Sequence, residues 1–463
     1  MRAVVIGGGI AGLAAAHRLA QLVPSDMPWE RPLLVERGAS VGGKLLTEHV
    51  DGFVIEAAAD SFLSRKERGV GLCEELGLRH ELVGRRPEYA RTFVRRGRDL
   101  HPLPEGLTGT IPTNLDALSE SALLSPEAKA RLAAEVDIPP DTKRGDESIA
   151  GFVSRRLGPE AWANLVEPLI TGIYGGDGAQ LSLQSTFPQL RALELEHGSV
   201  LRGLASTPAS AGCFPPFVTL ESGMDMLVHT LCSRLEGRIQ AAVGQSAVGL
   251  RRIRDGWVVE LADGATVDAD AVILAVPAFE AASLLAGVDR DLAELHSEIP
   301  YASSAIVTLA YREEDVPSLD GYGYVVPRVE ATDVLACTWT SRKWVGRAPN
   351  GTVLIRVYAG RFGGRDVTKM RDRQLLGLAR DEVALLGISA RPILTRNHRW
   401  SRGMPQYVLG HPERLERIEA ALEAHPRLAV AGAAYRGVGV PDCIQSGEAA
   451  AESVAHAHGA VLH

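Results

Sequence analysis

The most chemically suggestive spacing is at the start of the chain. Gly7, Gly9 and Gly12 make a G-x-G-x-x-G run within Arg2-Ala-Val-Val-Ile-Gly-Gly-Gly-Ile-Ala-Gly12. In a dinucleotide-binding turn the first glycine permits the tight bend. The second lets backbone approach a pyrophosphate, and the third lets helix and strand pack closely. A helix opening there, through Ile10 and Ala11 into Leu13–Leu19, points free N–H groups and a positive dipole end at the phosphates. Glu36 closes the next apolar run, Leu33-Leu-Val-Glu36. A carboxylate there accepts hydrogen bonds from a ribose diol and repels a 2′-phosphate, which argues against NADP. The alternative is a glycine-rich turn without a ligand.

These residues need particular elements to position them. Ala3–Ile6 reads as a buried parallel strand and Leu13–Leu19 as an alanine-rich helix. After Glu36 comes Arg37-Gly-Ala-Ser-Val-Gly-Gly43-Lys44. A second glycine pair just past the ribose acid suits a flavin dinucleotide, which needs more backbone donors than NAD does. A plain turn is the alternative for that pair taken alone. Gly52–Phe62 reads as strand then loop. The region to about Leu204 reads as mostly helical, with helix-period apolar residues at Val70–Leu76, Leu115–Leu118, Pro126–Glu135, Ile149–Leu157 and Pro159–Leu169. Residues 205–216, rich in Ala, Ser and Pro, read as a flexible linker. Gly223–Leu235 reads as a helix. Val248–Ile253, Trp257–Leu261 and Ala271–Val276 read as strands returning to the nucleotide domain, and Ala302–Tyr311 and Val353–Tyr358 as a second sheet beside a helix over Met370–Leu386. At the end, Leu428-Ala-Val-Ala-Gly432 leads through a glycine turn into a closing helix to His456. This echo of the N-terminal unit predicts an α/β fold with a Rossmann-type domain assembled from residues 1–60, 217–290 and 412–463. Residues 61–204 form a helical and substrate-binding region, and residues 291–411 a sheet-based substrate domain.

Composition sets the bounds. The 463 residues carry a net charge of −8, which disfavours non-specific nucleic-acid binding and requires any anionic substrate to meet locally concentrated cations. The five scattered cysteines contain no C-x-x-C pair, and no metal site is expected; the pattern suits a reducing cytoplasm. The nucleotide motif leaves no room before it for a leader, and Ala271–Leu285 is broken by Pro277 and Glu280. The expectation is a soluble cytoplasmic protein, with peripheral membrane attachment left open.

Three longer stretches carry a family resemblance over almost the full chain. They are Glu167-Pro-Leu-Ile-Thr-Gly172-Ile-Tyr-Gly-Gly-Asp177, Trp400-Ser-Arg-Gly-Met-Pro-Gln-Tyr-Val-Leu-Gly-His411 and Tyr435-Arg-Gly-Val-Gly-Val-Pro-Asp-Cys-Ile444. With the glycine motifs, the chain resembles the oxygen-dependent, FAD-containing porphyrinogen oxidases of haem biosynthesis, within the flavin amine oxidase superfamily. The resemblance implies a para-hydroxybenzoate-hydroxylase-like FAD fold, a porphyrinogen substrate, O2 as acceptor and H2O2 as product. It also leaves room for contact with other haem-pathway enzymes. It places FAD contacts at Gly8, Gly9, Ile10, Ala11, Gly12, Leu13, Glu36, Arg37, Lys44, Ala58, Ala59, Asp60, Ser61, Ala247 or Val248, Trp400, Ala433, Val438, Gly439 and Val440. Gly7 and Gly43 join them from the motif spacing. Two departures stand out. Relatives commonly have Gly-Pro where this chain has Ala58-Ala59. Protoporphyrinogen-type members often place arginine before the aromatic corresponding to Phe93, where this chain has Thr92, with Arg91 one residue earlier. The threonine resembles coproporphyrinogen-type enzymes, so coproporphyrinogen III is the expected substrate and protoporphyrinogen IX the alternative.

A porphyrinogen becomes a porphyrin by losing six hydrogens in three two-electron steps, and acidified pyrrole N–H groups shed their own protons. No strong protein base is demanded, which suits a chain without an evident acid–base dyad. Asp60 is the candidate polar group near the flavin, with a surface turn aspartate as the alternative. Arg85, Arg86, Arg91, Arg95, Arg96 and Arg98 crowd one short segment. Guanidinium matches carboxylate bidentately, so Arg91 is the candidate propionate ligand, beside Thr92 and Phe93. The others are expected to decorate a solvated hairpin edge. Rival readings are a flavin amine oxidase or polyene desaturase, against which Tyr301–Tyr311 offers no lysine, and a non-catalytic flavin- or porphyrin-binding partner.

Overall fold

The computed structural model describes residues 1–22, 30–142, 145–206 and 213–457. Half of the expected linker, residues 207–212, lies outside them, as do residues 23–29 of the connection before Glu36. Two sheets organise the rest. The first is five-stranded and wholly parallel, in the order Gln240–Val243, Leu33–Glu36, Ala3–Ile6, Ala271–Leu274, Leu428–Val430. Its strands come from three distant segments of chain. The outcome is the α/β Rossmann-type arrangement that the glycine motif demanded.

The inner strands Ala3–Ile6 and Ala271–Leu274 are short and entirely apolar because both of their faces are covered, whereas the edge strand Gln240–Val243 is mostly exposed. One face is covered by the first helix, Ile10–Leu22, whose buried Ala14, Ala15 and Ala16 let the C-terminal helix, Val440–His456, approach closely. Gly447 marks that approach. A Cβ there would overlap the Ala11 carbonyl oxygen. Strand order reverses direction at Ala3–Ile6 beside Ala271–Leu274, and a crevice opens outside the carboxyl ends of open α/β sheets at such a point.

The second sheet has seven strands, in the order Leu394–Pro405, Tyr301–Arg312, Thr352–Ala359, Val334–Trp339, Gly323–Val325, Thr92–Arg96, Asp99–Pro102. All its pairs are antiparallel except Gly323–Val325 with Thr92–Arg96. The region between residues 61 and 204 is mostly helical, as expected, but Thr92–Arg96 leaves it to pair with the second sheet. Thr92–Pro102 forms a hairpin at the edge of the substrate sheet, with Val94 fully buried under it. The helices of this region otherwise appear close to expectation, including Ile149–Leu157 capped by the Ser148 hydroxyl on Gly151 N–H. Leu394–Pro405 was not legible as a strand. Its sequence, LTRNHRWSRGMP, lacks apolar alternation because it is an edge strand whose side chains are mostly half-buried.

No helix among the described residues is long and apolar enough to cross a membrane, and no cluster among them could hold a metal ion.

Candidate functional site

One cleft of about 2680 Å³ runs from the carboxyl ends of the parallel sheet to the face of the second sheet. At its inner end the glycine turn is built as its spacing required. Gly7 has φ +107°, and a Cβ there would overlap the Ala275 carbonyl oxygen. A Cβ on Gly12 would overlap the Gly7 carbonyl oxygen, so strand and helix can meet only through glycine. Gly9 differs. Nothing lies within 4 Å of where its Cβ would be, and the residue lines the cleft. This open space beside bare backbone, at a helix N-terminus, fits a pyrophosphate.

Glu36 is locked by two short backbone donors, Gly8 N–H at 2.7 Å and Gly38 N–H at 2.6 Å. It still lines the cleft, so it is a fixed acceptor for a diol. Gly42 N–H donates to the Gly8 carbonyl at 2.8 Å and brings the second glycine pair against the first. Gly43 and Lys44 then face the cleft. Burial pushes the Lys44 ammonium below its ordinary value, and no carboxylate among the described residues pairs with it. Arg37 also lines the cleft but is paired with Glu280 at 2.7 Å. Ile10, Ala11, Ala247 and the exposed Val248 complete this end. Three expected contacts, Gly8, Gly12 and Leu13, do not line the cleft. Leu13 is buried in the core and its N–H closes a helical bond to the Gly9 carbonyl, so it has nothing to offer a ligand. Gly8 and Gly12 serve the turn from behind.

The Ala58–Ser61 loop is held between the two sheets. Trp400 Nε1 donates to the Ala57 carbonyl at 2.8 Å, and Arg356 donates to the Ala58 carbonyl at 2.6 Å. Both donors come from the second sheet, so the loop cannot shift without it. Asp60 is not a surface turn residue; it is buried. It accepts from Ser61 Oγ at 2.8 Å, Lys343 Nζ at 3.1 Å and Trp344 Nε1 at 3.3 Å, with Arg356 Nη1 at 3.4 Å. Burial would push its carboxyl up, but Lys343 and Arg356 outweigh that and hold it well below the ordinary carboxylate range. A carboxylate so engaged is an anchor, not a base. Burial foremost pushes Lys343 down, with Asp60 opposing. Tyr301–Tyr311 does lack a lysine, but Lys343 enters the cleft from the short helix Thr340–Lys343, where no local pattern signalled it.

The C-terminal wall hangs on Tyr407. Its hydroxyl donates to the Ala433 carbonyl at 2.7 Å and accepts from Gly437 N–H at 2.8 Å. Ala433, Val438 and Val440 line the cleft, while Gly439 N–H is taken by Asp442 at 3.0 Å. Tyr407 stacks on buried His411 at 4.3 Å. Burial drives that imidazole down to about 4, so it is neutral and donates through Nε2 to the Tyr435 carbonyl.

The outer part of the cleft is lined by Leu103, Leu169, Ile173, Phe187, Tyr322 and Tyr324 with Thr92 and Phe93. Phe93 is braced by Trp339 at 6.0 Å. Arg91 borders the cleft but is exposed and paired with Asp320 at 2.8 Å. Arg95 is buried and ion-paired with Glu382 at 2.9 Å, so it is not edge decoration. Arg85 is the residue that the sequence reading passed over. It lines the cleft with no acidic partner among the described residues.

A family model described as flavin containing amine oxidoreductase matches residues 10–455. The chain belongs to this family. It is 36% identical over 460 residues to the coproporphyrinogen III oxidase of Bacillus subtilis (strain 168), covering 96% of each chain. It is 31% identical over 481 residues to the protoporphyrinogen oxidase of Homo sapiens, covering 97% of this chain and 98% of that one. A crystal structure of an Exiguobacterium sp. 255-15 protein superposes with a TM-score of 0.87 at 31% identity and 98% coverage of both chains. A flavin is therefore the cofactor class of this chain.

Proposed function

We propose that this chain binds FAD in the glycine cradle and oxidises coproporphyrinogen III to coproporphyrin III, with O2 as acceptor and H2O2 as product. The observation that carries the proposal is the continuity of a single cleft. It passes from the Gly9 and Glu36 cradle, past the clamped Ala58–Ser61 loop, to a wall of aromatic and apolar side chains, and encloses about 2680 Å³ in all. The near-full-length likeness to enzymes named for porphyrinogens supports the same reading. When bound, FAD supplies two-electron acceptance, used three times per macrocycle.

The chain's own residues bind and orient. Glu36 takes a ribose diol, Gly9 and the first helix take the pyrophosphate, and Lys44 gives a cation to the same end. Trp400 fixes the Ala57 carbonyl and leaves its ring at the cleft wall. Phe93, Tyr322 and Leu169 form a slot that excludes water around the macrocycle. Asp60 is fully engaged by Lys343, Trp344 and Arg356 and is not arranged as a general base. That suits a substrate whose own pyrrole N–H groups release the protons. Residues 1–60, 217–290 and 412–463 act as the FAD domain and residues 291–411 as the substrate domain. The Thr92–Pro102 hairpin belongs with the latter sheet.

Protoporphyrinogen IX is the second reading, favoured by the human relative. The test is porphyrin fluorescence in air with chemically reduced coproporphyrinogen III and protoporphyrinogen IX in parallel. Faster turnover of the tetracarboxylate is expected. The reverse order moves the assignment to protoporphyrinogen IX. A bound flavin with neither rate above the autoxidation blank overturns both.

A further inference from the structure

The cleft wall carries more buried positive charge than the protein neutralises. Lys343 and Arg85 line the cleft, Arg356 is buried behind it, and Asp60 is the carboxylate that Lys343 and Arg356 share. Lys343 reaches Asp60 at 3.1 Å and Arg356 at 3.4 Å. Arg356 is fully buried, and its Nε has no hydrogen-bond acceptor. Arg85 has no ion-pair or hydrogen-bond partner among the described residues. Its guanidinium lies 5.0 Å from each of the Phe217 and Tyr322 ring centroids, held between two aromatic side chains. The Arg86 N–H to Lys343 carbonyl bond, 3.1 Å, draws the two segments together. Arg85 is close enough to Lys343 to depress its ammonium further.

Lys343 and Arg356 share the one carboxylate of Asp60, Arg347 is paired with Glu56 behind them at 3.3 Å, and Arg85 has no carboxylate, which leaves two positive charges at the edge of a low-dielectric cleft. Such an excess is costly unless a ligand supplies the counter-charge. Tyr322 and Phe217 restrict the guanidinium in advance, so binding a planar anion loses little side-chain freedom. Arg91, by contrast, is already neutralised by Asp320 in solvent.

We infer that Arg85 and Lys343 form a carboxylate subsite of the cleft, and that this subsite makes the enzyme select porphyrinogens bearing a propionate at the macrocycle edge it faces. The inference rests on the porphyrinogen reading above and names the residues that recognise the substrate's acid groups.

The test measures equilibrium binding of coproporphyrin III and of its uncharged tetramethyl ester, in the same non-ionic detergent, by quenching of porphyrin fluorescence. The flavin-loaded wild type, Arg85→Gln, Arg85→Lys and Lys343→Gln are compared. The wild type is expected to prefer the tetra-acid, with affinity falling as salt rises. Arg85→Gln is expected to weaken the tetra-acid about 10-fold or more, the scale of one lost charge-assisted hydrogen bond, and to flatten the salt dependence. Ester binding stays put, which shows that the cleft is intact, and Arg85→Lys retains part of the preference. Equal wild-type affinity for acid and ester overturns the subsite, as does tetra-acid binding that is unchanged in both Gln variants. Wild-type turnover of coproporphyrinogen III in air, measured on the same preparation, judges the functional reading separately.

Discussion

Gly9 and Gly12 sit three residues apart in one motif, yet the structure gives them opposite sensitivities. Nothing lies within 4 Å of a Cβ placed on Gly9, and its φ is not in the left-handed region. Gly9→Ala should therefore leave the cofactor-free fold intact, or stabilise it by about 0.4–1 kcal/mol through loss of unfolded-state freedom. The added methyl would instead stand in the space beside the backbone that a pyrophosphate must approach. Loss of one charge-assisted backbone bond there costs about 1.5–3 kcal/mol, a fall in FAD affinity of roughly 10- to 100-fold. Gly12→Ala puts its methyl into the Gly7 carbonyl oxygen and against Ala275 Cβ at 3.3 Å. Helix and strand must separate, at an overpacking cost of about 1–3 kcal/mol or more, and the cradle opens as they do. The assay is thermal unfolding of cofactor-stripped protein together with FAD titration by flavin fluorescence. Gly9→Ala should match the wild-type melting temperature and fail in titration, whereas Gly12→Ala should fail in both. Wild-type FAD affinity in Gly9→Ala would show that the phosphates bind elsewhere and refute the assignment of the cradle.

Other perturbations follow from the same geometry. Asp60→Asn leaves Lys343 and Arg356 buried without their carboxylate and should destabilise the chain by about 3–5 kcal/mol, read by urea unfolding near neutral pH. Because the folded-state pKa of Asp60 is depressed, its contribution is present above the unfolded value near about 3.9 and is lost as pH falls below it. Unfolding curves that superpose with wild type at neutral pH would contradict the anchor role. His411, driven down to about 4 from 6.5, is neutral when folded, so stability should decline as pH falls from 6.5 towards 4, by roughly 3 kcal/mol in all. His411→Gln should flatten that slope; an unchanged slope means another group titrates. Gly447→Ala drives a methyl into the Ala11 carbonyl between the two helices and should lower both melting temperature and flavin retention, whereas wild-type values for both would refute the close helix contact.

What the sequence determined by itself is what short-range spacing controls. Gly7, Gly9 and Gly12 act through bonds and contacts within one strand–turn–helix unit. Glu36 is fixed by the amides of Gly8 and Gly38, neighbours in the same βαβ unit. The apolar runs Ala3–Ile6, Ala271–Leu274 and Leu428–Val430 could satisfy both faces only inside a parallel sheet, so a sheet drawn from distant segments was legible before any fold was seen. Charge pairing was not legible. Whether an arginine is free or neutralised depends on which carboxylate the fold brings to it. Asp320 reaches Arg91 across 229 residues, and Lys343 reaches Asp60 across 283. Of the six arginines in the segment 85–98 the sequence pointed to Arg91; tertiary contacts instead pair Arg91 in solvent, bury Arg95 on Glu382 and leave Arg85 facing the cleft. The edge strand carrying Trp400 was hidden for a related reason. Half-buried side chains impose no apolar alternation, so only its pairing with Tyr301–Arg312 decides that it is a strand and that its indole meets Ala57. Local backbone geometry is written in the order of residues. The charge balance of a cleft is a sum over chain segments that meet only when the chain has folded.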